Sequence, residues 1–215
     1  MSINSYITKK QFHLLIVIIC FIVIILDITY LVNKSRNSNS FNSIGSINAP
    51  STKKPTTKDI VNYSVPPLDP KYLIIPSINV NARIYKISLN ADKQIEAPSN
   101  VYDTAWYSSS SLPGQPGAMF IDGHVSSWTT EGVFYNLKKL VPGDEISVVR
   151  GDNKTFTYVV NALKIYPYNN VNMNQVLSSY EPYTAGLNLM TCTGQVIKNT
   201  SEFNERIVVF TTLKS

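Results

Sequence analysis

Cysteine and histidine are scarce: the chain of 215 residues holds two of each. Cys20 and His13 lie together near the N-terminus, so only Cys192 and His124 remain in the rest of the chain. A disulfide within the C-terminal part is therefore excluded, and with it the commonest use of an extracellular cysteine. A zinc site built on paired histidines is excluded as well, because His13 stands at the edge of an apolar run. Charge is also sparse, at 15% of residues against roughly 25% in an average soluble domain. The formal net charge is +5, and Lys9, Lys10, Lys34, Arg36, Lys53, Lys54 and Lys58 all fall in the first part of the chain. The basic excess therefore belongs to flanking segments. Without an arginine-rich stripe it gives no support to a nucleic-acid partner. No internal repeat is visible.

The first long feature present is apolar. "LLIVIICFIVIIL" runs from Leu14 to Leu26 without a polar side chain, and "DITYLV" carries on to Val32, interrupted by Asp27. Counted from Phe12, the stretch reaches about 20 residues, the length at which a helix spans the hydrocarbon core. A cleaved signal peptide fits less well, because no small-x-small site comes after it. Lysines flank both ends, so charge does not set orientation. A long C-terminal domain generally crosses the membrane regardless of nearby charge. The expected organisation is a short cytoplasmic tail (1–11), a single membrane anchor (12–32), a flexible linker (33–70) and a domain (71–215) outside. Residues 33–70 are rich in Asn, Ser, Thr, Lys and Pro. Such a composition buries too little apolar surface to offset the entropy of ordering it.

The C-terminal part reads as all-β. "YLIIPSINVNARIY" gives two short strands broken at Pro76-Ser77. "GAMFIDG" is a strand after the turn "PGQPG". "LVPGDEISVVRG" and "KTFTYVVNALKIY" pair as a hairpin, and "GLNLMTC" and "RIVVFTTL" supply two more strands. "VFYNLKKL" and "NMNQVLSSY" read as short helices or turns. Seven or eight strands with turn signals between them imply a barrel or sandwich. Trp106 and Trp128 are expected in the core or a groove wall.

A lone cysteine with a lone histidine elsewhere is the pattern of a nucleophile and its base. The alternative is a core thiol and an unrelated imidazole. Cys192 and His124 each stand at the end of an apolar strand, where a sheet offers side chains to a groove. If "GLNLMTC" pairs with "RIVVFTTL", Arg206 comes close to Cys192. A cation there favours the thiolate and can hold an oxyanion. Asp122, two residues before His124, is a candidate to orient the imidazole, with Gly123 between them leaving the geometry open.

These residues resemble a family, the sortases, which are membrane-anchored cysteine transpeptidases of the bacterial surface. "LNLMTCTGQ" is similar to the family's T-L-x-T-C strand end, with Asn188 in place of the first threonine. "IDGHVSSW" resembles the Gly-His segment, and "ERIVVFTTL" the arginine-led final strand. The resemblance extends from Tyr72 onward, in order. It implies a closed eight-stranded β-barrel with short helices. It also implies cleavage of an L-P-x-T-G-like sorting motif between Thr and Gly, with Cys192 as nucleophile and acyl carrier. His124 would be the proton donor and acceptor, Arg206 would stabilise the oxyanion and substrate, and Thr191 would be a substrate contact beside the nucleophile. The partners implied are surface proteins with a C-terminal sorting motif, and an amine from a peptidoglycan stem peptide or a pilin. Neither a cofactor nor a metal is called for, since the family's calcium-binding acidic cluster is not evident. The location implied is the bacterial cell membrane, single-pass. The alternatives are a sorting-motif hydrolase and a catalytically inactive peptide-binding barrel. The segment from about Tyr166 to Ala185 would set the motif.

Overall fold

Strict alternation sets the first strands. In β1 (Pro70–Ile75), Leu73 and Ile75 point inward and are fully buried, while Tyr72 and Ile74 face the other way. Pro76 then starts a 3-10 turn (Pro76–Ile78), its fixed φ suiting a first helical position. Asn79 closes the turn in the left-handed region at φ 55°, a conformation that Asn tolerates better than most residues. β2 (Val80–Ile87) returns antiparallel, with Leu73 opposite Ala82.

The structure, a computed structural model, describes residues 49–214. The remaining strands are β3 (Thr104–Tyr107), β4 (Gly117–Gly123), β5 (Glu145–Arg150), β6 (Thr155–Pro167), β7 (Ala185–Val196) and β8 (Phe203–Leu213). They close in the order β1-β2-β3-β4-β7-β8-β6-β5. Closure removes unpaired edges that would otherwise template association. Two neighbouring pairs are parallel, β2 with β3 and β4 with β7. A parallel pair cannot be joined by a tight turn, so residues 88–103 and the long excursion through β5 and β6 serve as crossovers. The expected eight-stranded barrel with short helical pieces is what the chain forms. β3 is the strand that the sequence reading did not name.

The barrel interior is filled by alternate residues of every strand, among them Ile84, Trp106, Ile121, Ile146, Val148, Leu187, Leu189 and Val209. Each large apolar side chain buried there contributes about 1.5–3 kcal/mol. Tyr158 is fully buried with its hydroxyl accepting from the Gly114 N–H at 2.9 Å. Trp106 is core, as expected, whereas Trp128 is 82% exposed in the loop after His124.

The compact unit begins at Ala49, not at Lys71. A one-and-a-half-turn helix, α1 (Thr57–Val61), opens with a reciprocal cap. The Asp59 N–H donates to the Thr56 hydroxyl at 3.2 Å, and the Thr56 N–H donates to the Asp59 carboxylate at 2.8 Å. None of its residues is buried, so α1 is held in place through Tyr63, two residues beyond its end. The Tyr63 hydroxyl donates to the Ile84 carbonyl. Its ring packs against Tyr72 and Tyr85, under the Arg83 guanidinium. Arg83 in turn binds Asp103 through both carboxylate oxygens, at 2.9 and 2.8 Å. Composition hid this docking because it rests on Tyr63, on the Tyr72 hydroxyl donating to the Ile60 carbonyl, and on backbone bonds of Ser51 with Ser99 and Val101. The expected cytoplasmic tail, membrane anchor and first part of the linker lie outside the described residues. Among the described residues, no helix is long and apolar enough to cross a membrane.

Candidate active site

The outer face of β4, β7 and β8 forms the floor of a groove. The parallel register pairs Phe120 with Asn188 and Asp122 with Met190. The antiparallel register pairs Asn188 with Phe210, Met190 with Val208 and Cys192 with Arg206. His124 follows directly on Gly123, the last residue of β4. A hydrogen bond locks this alignment: the Thr191 hydroxyl donates to the Gly123 carbonyl at 2.7 Å. Cys192, Arg206 and then Tyr166 of β6 stand in one row across the sheet. Of the residues singled out from sequence, Cys192 and Arg206 are register partners, and His124 follows the residue whose carbonyl is bonded by Thr191.

Thr191 is a correction. Alternation turns it to the barrel interior, where it is 2% exposed, and its hydroxyl is engaged by Gly123. It fixes the strand alignment and offers nothing to a ligand in the groove. Cys192 is four residues inside β7, not at its end.

Two connections wall the groove. Ile95 and Tyr107 approach from the β2–β3 side. Tyr166 stands near the end of β6, and Val171, Met173, Val176 and Leu177 come from the β6–β7 connection, which carries the short helix α2 (Met173–Val176). The buried Asn188 amide ties this connection down, donating to the Val176 and Ser178 carbonyls at 2.7 and 2.9 Å. That is the physical role of the asparagine that departs from the family's threonine. Two glycines shape the His124 loop. A Cβ on Gly132 would lie 2.2 Å from the His124 carbonyl oxygen, and one on Gly123 would lie 2.5 Å from the Phe134 ring. Sequence reasoning missed Gly132, since nothing in "TTEGVF" tells which backbone the glycine meets.

The electrostatics of the row are set by burial. Burial pushes the Cys192 thiol up to about 11, against the opposing pull of Arg206 and with smaller upward pushes from Asp122 and Glu202. The expectation that the cation alone would favour thiolate is corrected on this point, because desolvation outweighs it. Burial also lowers His124, opposed by the Pro98 carbonyl. Cysteine and histidine are both neutral at pH 7. The His124 Nε2 lies 2.7 Å from the Pro98 carbonyl. A carbonyl only accepts, so Nε2 carries the proton and Nδ1 is left as the basic nitrogen. Arg206 Nη1 donates to the Phe203 and Glu205 carbonyls at 2.9 and 3.0 Å. Its Nη2 donates to Glu202 at 3.0 Å, and the guanidinium lies over the Tyr168 ring. Of the five N–H groups of a guanidinium, these contacts leave the Nε–H and one Nη2–H for a ligand.

A separate cavity of about 460 Å³ is lined by Lys54, Ile60, Arg83, Asp103, Glu131 and Tyr135, among others, and by none of the row residues.

A family model, the sortase domain, matches residues 73–214. Comparison with curated protein sequences gives no match. Several solved sortases share the fold. Sortase C-1 of Streptococcus pneumoniae is 22% identical with a TM-score of 0.52, the alignment covering 67% of this chain and 66% of that one. The chain thus spans just under two thirds of that protein's length. A sortase D5 transpeptidase of Clostridium perfringens is 21% identical over 74% of this chain and 86% of that one, with a TM-score of 0.50. Sortase C-1 of Actinomyces oris is 22% identical over 86% of this chain and 99% of that one, with a TM-score of 0.53. With the family's domain matched over most of its length and the barrel closed in the same manner, the chain belongs to the sortases, a family of cysteine transpeptidases.

Proposed function

We infer that the chain is a membrane-anchored transpeptidase at the bacterial surface. It cleaves an L-P-x-T-G-like sorting motif between Thr and Gly and passes the acyl group to a cell-surface amine. The observation that carries this reading is the pairing of Cys192 with Arg206, next to the Thr191–Gly123 bond that leads to His124. The motif peptide lies beside Cys192 and Arg206, both of which are half-buried. The thiol passes its proton to His124 Nδ1 as sulfur attacks the threonine carbonyl. Arg206 favours the developing negative charge, first on sulfur and then on the carbonyl oxygen, through its two remaining donors. His124, now protonated, gives its proton to the departing glycine amine. The thioester divides one difficult exchange into two easier ones. The acceptor amine, from a stem peptide or a pilin, then attacks the thioester and restores the thiol. Anchoring by residues 12–32 places the work within reach of the membrane surface, on partners that carry C-terminal sorting motifs.

The test is mass spectrometry of the full chain incubated with a motif peptide. A covalent adduct on Cys192, and an amide product when an amine is added, are expected. Cys192→Ala abolishes both. Arg206→Ala and His124→Ala each lower turnover by about two orders of magnitude or more. Turnover by the Cys192→Ala chain at the wild-type rate would refute the scheme.

A further inference from the structure

Asp122 occupies the row next to the nucleophile. On β4 its neighbours Ile121 and Gly123 turn inward, and its register partners on the outer face are Ala105 and Met190. It is half-buried. The charged and titratable groups around it are Arg206, Cys192 and His124. Arg206 is the cation it feels, yet the donors of Arg206 that are engaged go to Phe203, Glu205 and Glu202. Among the described residues, Asp122 has no salt bridge. Burial holds its carboxyl up to about 7. A carboxylate withdrawn from water without a bonded cation is costly. Here it stands close enough to Cys192 to act on its thiol through space. At neutral pH an alkyl amine approaches as an ammonium ion and cannot attack until it loses a proton.

We propose that Asp122 is a further catalytic residue of the second half-reaction, binding the ammonium group of the acceptor and taking one proton from it. This rests on the transpeptidase reading above. The ammonium passes a proton to the Asp122 carboxylate and becomes a free amine. Its nitrogen attacks the thioester carbon, and the second proton goes to His124 Nδ1. The C–N bond forms, the C–S bond breaks, and the leaving thiolate takes the proton from His124. The carboxylic acid on Asp122 returns its proton to water. One ammonium and one thioester thus give one amide, one thiol and one released proton.

The full chain is charged with a motif peptide, and the ratio of amide to acid product is read with two nucleophiles. One is Nα-acetyl-lysinamide, cationic at pH 7, and the other is hydroxylamine, uncharged there. Asp122→Asn lowers the ratio at least tenfold with the lysine amine and leaves it unchanged with hydroxylamine, and Asp122→Glu restores much of the loss. An equal ratio in variant and wild type, or an equal fall with both nucleophiles, overturns the assignment. Methylguanidinium, a cation without nucleophilicity at this pH, competes in the wild type with the lysine amine but not with hydroxylamine. Lack of that competition overturns the assignment even if the variants do not fold. A wild-type chain that forms no thioester refutes the transpeptidase reading itself. A thioester that accepts hydroxylamine but never the lysine amine refutes only the role of Asp122.

Discussion

The sulfur of Cys192 is half-buried opposite an engaged guanidinium, so it is a guarded nucleophile. With its titration near 11, the thiolate fraction at pH 8 is on the order of one in a thousand. Alkylation of the free chain by iodoacetamide should therefore keep rising, about tenfold per pH unit from pH 7 to 10. A plateau near pH 9 would contradict this. Arg206 lowers the thiol and Glu202 raises it. Arg206→Gln is therefore expected to slow alkylation at pH 8 and Glu202→Gln to speed it. Cys192 and His124 as candidates were legible in the sequence because they have no rivals in the domain. The thiol's resting state was not. Desolvation sets it, and no local pattern announces how far a strand residue is withdrawn from water. Thr191 was misplaced for a related reason: next to the cysteine in sequence means opposite faces on a strand.

Among the elements, the hairpins and the long strands were readable from alternation. β3 was not, since Thr104–Tyr107 offers only four residues, too few for a period to show. The link between β4 and the histidine loop is the element on which function turns. Its two tight glycines leave no room for a methyl group against Phe134 or against the His124 carbonyl. Gly132→Ala must move backbone and not a flexible side chain, so its cost is about 1–3 kcal/mol. The displacement falls on His124. Turnover is expected to drop more than tenfold while circular dichroism still reports a folded barrel. Wild-type turnover in a folded Gly132→Ala chain would show that the loop tolerates the shift.

Across the whole molecule, the most buried ion pair among the described residues is Arg83–Asp103, which ties β2 to the residue before β3 with side chains 13% and 3% exposed. Removing one partner strands the other charge in a buried place. Asp103→Ala is therefore expected to cost about 3–5 kcal/mol in urea unfolding. Lys214→Ala breaks a pair that is half in water and is expected to cost less than about 1 kcal/mol. Equal losses would mean that burial does not decide the strength of these pairs. That residues 49–70 belong to the folded unit was not legible in composition, because Tyr63 alone supplies the ring that Arg83 and Tyr85 receive.

The order of strands around the barrel has one more consequence. The nucleophile is on β7, its proton carrier stands just past β4, and its cation is on β8, which is wedged between β7 and β6. Of the eight strands, β8 is the last to leave the ribosome. Until it slots into place, a nascent chain displays a sulfur with no counter-charge and a cylinder with a missing stave. Assembly of the site is thereby postponed to the final act of folding.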